Sequence, residues 1–135
     1  VSHAFTTLLD LAPTLYQYAD LDYPESWNGQ KVYPLEGKSL FPLLNGQVTE
    51  VHDSTYVFAI EHRGHISVRQ GDWKLVNSVL PFDQGNFELF NLSSDLGEQR
   101  DVKNEFSEKF SELFAEWEAY KKRVKVQFPT PKAGD

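Results

Sequence analysis

Glu61-His62-Arg63-Gly64-His65-Ile66-Ser67-Val68-Arg69-Gln70-Gly71-Asp72-Trp73-Lys74-Leu75-Val76 reads as two β-strands around a tight turn, with a further strand after Gly71-Asp72. With Arg63-Gly64 as a two-residue hairpin turn, His62 and His65 flank it as a directly opposed cross-strand pair, their Cβ atoms roughly 5 Å apart. That separation suits shared metal ligation, but a metal site needs a third ligand, and Glu61 points to the face opposite His62 because strand side chains alternate. Polar residues flanking a turn are the simpler reading of the pair. Arg69, Asp72, Trp73 and Lys74 lie close enough for an Arg or Lys to pair with Asp72 while Trp73 anchors the second turn.

Working outward, Thr55 to Glu61, His65 to Gln70, Trp73 to Ser78 and Phe87 to Leu92 are strand candidates, rich in aromatic and β-branched residues and separated by turn-forming residues. They predict an antiparallel meander. The first, Tyr56-Val57-Phe58-Ala59-Ile60, is apolar on both parities, which predicts a central strand covered on both faces. Downstream, Phe106, Phe110, Leu113, Phe114, Trp117, Tyr120 and Val124 recur at three- and four-residue steps, predicting a helix with one aromatic stripe packed across the sheet. Asn104 is its expected N-cap, and Lys121, Lys122, Arg123 and Lys125 suit its negative end. Pro129 and Pro131 end regular structure, and Lys132 to Asp135 read as a frayed tail.

Upstream, Phe5, Leu8, Leu9, Ala12, Leu15, Tyr16 and Ala19 follow helical spacing from Ser2 to Ala19, with a break or kink expected near Asp10 to Pro13. Asp20 to Lys38 is punctuated by Pro24, Asn28, Gly29, Pro34 and Gly37 and reads as a long surface loop. Ser39 is placed to cap a short helix that ends at Asn45-Gly46. The expected organisation is one α+β domain. Residues 1–50 supply helix, loop and short helix; residues 51–128 form a four-stranded antiparallel sheet with a long C-terminal helix; residues 129–135 are a tail.

The 135 residues carry 20 acidic and 13 basic side chains, net charge -7, which argues against nucleic acid or an anionic membrane surface as a partner. No apolar run approaches the roughly 20 residues of a membrane span. With no cysteine, thiolate ligands and cysteine nucleophiles are excluded. With no methionine and a start at Val1-Ser2-His3, a processed or truncated product is expected. Asn91-Leu92-Ser93 fits a glycosylation sequon, and Asp95, Glu98 and Asp101 lack the spacing of a calcium loop and are expected to cap a turn. No Gly-rich phosphate loop, nucleophile elbow or His-Glu-x-x-His pair occurs.

Three segments in order resemble the C-terminal part of the sulfatase family, within the alkaline phosphatase-like superfamily. Phe5 to Leu15 resembles its D-x-x-P-T-L helix, and Leu35 to Gly46 its G-x-S-L-x-P-L-L-x-G segment. Glu61-His62-x-Gly64, Val68-Arg69-x-Gly71-Asp72-Trp73-Lys74-Leu75, Phe87-Glu88-Leu89-Phe90-Asn91-Leu92 and Asp95-x-x-Glu98 are similar to the arylsulfatase series E-H-x-G, R-x-G-D-W-K-L, E-L-Y-D-L and D-P-x-E. Leu96 stands where the family has proline, and Phe90-Asn91 where it has tyrosine and aspartate.

The resemblance implies a small domain with a four-stranded sheet and terminal helix, following a larger α/β catalytic domain. It implies hydrolysis of sulfate esters by a parent enzyme that uses calcium and a formylglycine made within C/S-x-P-x-R. Neither a cysteine nor a serine in that pattern occurs in this chain, so no catalytic residue, metal ligand or cofactor is expected within it. The partners implied are the N-terminal sulfatase catalytic domain and, through it, a sulfate-ester substrate, in a periplasmic or secreted setting. His62 is the expected substrate-binding residue, with His65 second, because a strand end beside a glycine turn can project toward a neighbouring domain. The alternative is a free-standing α+β binding or structural module derived from a sulfatase tail.

Overall fold

Arg63 and Gly64 both take positive φ, 54° and 86°, the conformation of the two-residue turn whose twist matches that of paired strands. A Cβ at Gly64 would come within 2.7 Å of Leu80 Cδ2, so space as well as φ favours glycine. The computed structural model describes residues 2–128. Two compact units make up the chain, one ending at Ser54 and the next beginning at Thr55. The expected tail, 129–135, lies outside the described residues.

The second unit holds a four-stranded antiparallel sheet in the order β3-β4-β5-β6, formed by β3 (Val57–His62), β4 (His65–Gln70), β5 (Trp73–Asn77) and β6 (Glu88–Asn91). This is the predicted meander. The register aligns Ala59, Val68, Leu75 and Leu89 in one row across all four strands. That row faces the core, where Val68, Leu75 and Leu89 meet Phe87, Leu113 and Trp117. Helix α3 (Ser107–Val124) supplies Leu113 and Trp117, both at 0% exposure, and Phe110, Phe114 and Tyr120 pack around them. Lys125 at φ 56° closes the helix in the left-handed conformation.

Two expectations about this unit are corrected. β3 is an edge strand, not a central one, and Ile60 on it is 45% exposed. Tight hairpins place successive strands side by side, so the first strand of a meander has only one neighbour whatever its composition. Helix α3 also begins three residues after the predicted cap. The amides of Glu105 and Phe106 both donate to Val102 O, and the Phe106 ring packs 4.9 Å from that of Trp73, so this segment is spent on a turn and an aromatic contact.

In the first unit, a 3-10 turn (Leu8–Asp10) leads into α1 (Leu11–Tyr18), and Ser2 to Thr7 are not helical as expected. The Thr7 amide donates to Asp10 Oδ2 at 2.7 Å, a reciprocal cap that starts the helix here and no earlier. Pro13 falls in the first turn of α1, where an amide hydrogen has no helical partner to lose, so the helix runs through it. The Asp20–Lys38 stretch is not wholly irregular. It contains a small hairpin, β1 (Ser26–Trp27) and β2 (Gln30–Lys31), turned by Asn28 and Gly29 at φ 50° and 76°. Helix α2 (Phe41–Leu44) follows; Ser39 Oγ accepts from the Phe41 amide, and Gly46 at φ 70° ends the segment as predicted.

Candidate functional site

The hairpin tip between β3 and β4 is the first candidate. His62 and His65 are directly paired in the register, as the two-residue turn predicts, and both are exposed with Arg63 between them. Glu61 holds the turn: its Oε1 accepts from the Gly64 amide at 2.6 Å. The tip therefore presents two imidazoles and a guanidinium on a fixed backbone, a donor-rich patch in a chain of net charge -7. Among the described residues no group of three or more His, Cys, Asp or Glu side chains is arranged to hold a metal ion. The imidazoles and guanidinium of the tip offer no oxygen ligand and so do not fit calcium, and the sequence holds no formylglycine precursor pattern.

The charged residues of the Gly71-Asp72 turn are used differently from the expected pairing with Asp72. Lys74 pairs with Glu98, and Arg69 Nε donates to Gly71 O at 2.9 Å. The acidic set does cap a turn. Asp95 Oδ2 accepts from the amides of Gln99 and Arg100, and Asp101 Oδ1 from those of Leu89 and Lys103. Burial pushes the Asp101 carboxyl up, but these amides and the Lys103 ammonium outweigh it and leave the group below the usual aspartate value. The sequon residue Asn91 accepts from both the amide and the hydroxyl of Ser93, so its side chain is part of the local turn.

A second polar centre, in the first unit, joins residues 42 positions apart, so no local spacing in the sequence marks it. Asp10 and His52 are buried, and His52 Nε2 lies 3.0 Å from each Asp10 carboxylate oxygen. Asp10 also accepts from the amides of Thr7 and Lys38, at 2.7 and 2.9 Å. Burial pushes this carboxyl up; His52 and the two amides outweigh it and hold the group below the usual aspartate value. Thr14 Oγ1 donates to Asp10 O and accepts from the Leu40 amide at 2.7 Å. Gly37 makes the approach possible, since a Cβ there would lie 2.1 Å from Leu9 O. The Asp-x-x-Pro-Thr and Gly-x-Ser-Leu motifs are therefore the two halves of one structural clasp.

A cavity of about 460 Å³ lies beside the β1–β2 hairpin, lined by Tyr23, Pro24, Val32, Pro34 and Leu35 together with Glu25 and Lys31. No helix among the described residues is long and apolar enough to cross a membrane.

No family model matches the chain. Comparison with curated proteins finds an uncharacterized sulfatase of Schizosaccharomyces pombe, 26% identical over 128 residues, covering 93% of this chain and 23% of that protein. An N-acetylglucosamine-6-O-sulfatase of Bacteroides thetaiotaomicron is 26% identical over 136 residues, covering 97% and 24%. Among solved structures, one from work on glycosaminoglycan metabolism by Bacteroides thetaiotaomicron superposes with a TM-score of 0.66 at 17% identity, over 90% of this chain and 26% of that one. Another, in complex with its substrate D-glucosamine-2-N,6-O-disulfate, gives 0.61 at 22% identity, over 91% and 25%. The chain spans about a quarter of the length of the curated relatives it matches. It is related to the sulfatases in sequence, and its α+β fold is that of their C-terminal subdomain.

Proposed function

We propose that this sulfatase relative serves as the C-terminal subdomain of a sulfuric ester hydrolase of arylsulfatase type, completing the substrate cleft of an N-terminal catalytic domain without being catalytic by itself. The observation that carries the reading is the hairpin tip, where His62 and His65 stand paired and exposed on a turn held by Glu61 and Gly64. Imidazole N–H groups on a rigid hairpin suit hydrogen bonding to the oxygens of a sulfate ester. His62 is assigned the direct contact and His65 the second. The nucleophile and the metal would come from the catalytic domain, with calcium supplying charge stabilisation at the sulfate. The curated relative named for N-acetylglucosamine 6-sulfate supports adding that sugar sulfate to an aryl sulfate as assay substrate.

The test uses the complete protein that contains this chain. His62→Ala should lower kcat/KM for ester hydrolysis by about tenfold or more, the worth of one hydrogen bond to a charged group, without lowering the unfolding midpoint. The isolated 135 residues should not hydrolyse a chromogenic aryl sulfate. Calcium-dependent turnover by the isolated chain would overturn the proposal, as would an unchanged kcat/KM for His62→Ala and His65→Ala together.

A further inference from the structure

Helix α1 has its amphipathicity reversed. Asp10 just before it and Thr14 within it are buried, while Leu8 of the preceding turn and Leu11, Leu15 and Tyr18 of the helix are 85, 49, 67 and 55% exposed, Tyr18 with one ring edge against Phe41. Steps of four and three residues place Leu11, Leu15 and Tyr18 within an arc of about 60° at 3.6 residues per turn, and Leu8 precedes them in the 3-10 turn. The helix cannot roll to hide them. Its inward face is tied by Asp10 to Thr7, Lys38 and His52, and by Thr14 to Leu40, and rolling would strip a buried carboxylate and hydroxyl of their partners. The leucines are thus held outward by bonds made on the opposite side.

An apolar stripe locked in place calls for a cover. A lipid surface fits poorly: from Phe5 to Gln30 there is no Lys or Arg, while Asp10, Asp20, Asp22 and Glu25 are acidic. A protein surface fits, and the relatives suggest whose, because this chain accounts for only 23 to 24% of their length. We infer that the apolar face made by Leu8 and by Leu11, Leu15 and Tyr18 of α1 is the seat on which the rest of a sulfatase-length polypeptide docks, burying these side chains against an apolar surface of its own. This rests on the subdomain reading above and adds to it the contact surface, which lies on a different unit from the hairpin tip.

Because the chain has no cysteine, one thiol can be introduced as a reporter. Leu15→Cys and, as control, Leu96→Cys, itself 86% exposed, would be placed both in the isolated 135 residues and in the complete protein that contains them. Each would be treated with a maleimide under native conditions and read by peptide mass. The expected result is labelling at both positions in the isolated chain, and loss of labelling at Leu15→Cys alone in the complete protein. Labelling at Leu15→Cys in both settings overturns the inference, as does protection already present in the isolated chain, which with a doubled sedimentation mass would identify a second copy as the cover. If the chain proves to be encoded alone, the inference fails outright. Sulfate-ester hydrolysis measured on the same samples separates the two claims: activity with Leu15→Cys exposed removes only the docking face, and protection without activity removes only the catalytic reading.

Discussion

Helix α3 buries Leu113 and Trp117 and turns Glu112, Glu116 and Lys122 outward, whereas α1 buries Thr14 behind Asp10 and turns Leu11, Leu15 and Tyr18 outward. Both carry apolar residues at helical spacing, so periodicity alone cannot say which face is inside. For α3, the sheet face formed by Val68, Leu75 and Leu89 receives the stripe, and burial of large side chains holds the helix. For α1, hydrogen bonds to a buried carboxylate fix the orientation and the apolar residues are left over. One helix completes a core; the other keeps a polar side inward and leaves apolar side chains exposed.

The contrast predicts unequal responses to truncation. Trp117→Ala removes a side chain at 0% exposure from the centre of the α3 core and should cost about 3–5 kcal/mol. Urea unfolding followed by far-UV circular dichroism would measure it. A cost below about 1 kcal/mol would mean that α3 is not the main anchor of the sheet and would break the comparison on its stronger side.

The clasp under α1 should respond through charge. Asp10→Ala leaves His52 and the Thr7 and Lys38 amides without their acceptor and should cost about 2–3 kcal/mol, seen as lost hydrogen-exchange protection at the Lys38 and Leu40 amides. The sign with pH follows from a carboxyl held below its ordinary value of 3.8. Its contribution is fully present above that value and is lost as the pH falls below it toward the folded value. Asp10→Asn should remove that part of the acid dependence while leaving the part due to Asp101, whose carboxyl is lowered too. If protection at Lys38 is unchanged in Asp10→Ala, then something other than this carboxylate sets the orientation of α1.

What could be read from the sequence divides along the same line. The α3 stripe, the meander and the opposition of His62 to His65 are products of local spacing, 3.6 per turn or two per strand pair, and a turn of two residues fixes the register by itself. Asp10 and His52 are 42 positions apart and meet only because α1 and the segment after α2 fold onto one centre. An aspartate set among leucines just before Pro13-Thr14 was the available sign of a buried acid. The Asn28-Gly29 hairpin was legible from its dipeptide and hidden by the number of turn residues around it. The edge position of β3 was not legible from composition, because an apolar strand marks burial sought on two faces, and strand order is set by connectivity.

The smallest expected effect is the sharpest test. Leu15→Ser in the isolated chain replaces a residue that is 67% exposed and faces away from the clasp, so its unfolding free energy should stay within about 0.5 kcal/mol of the unchanged chain. A serine on that face should also raise solubility, since it breaks up an exposed apolar stripe. In the complete protein the same substitution removes apolar area from a contact and should lower the unfolding midpoint, a large effect where the isolated chain shows none. Equal and large costs in both settings would mean that Leu15 is already covered within this chain, and the contrast between α1 and α3 would disappear. Equal and negligible costs would leave the reversed helix standing but without a cover, which would favour a free-standing module over a subdomain.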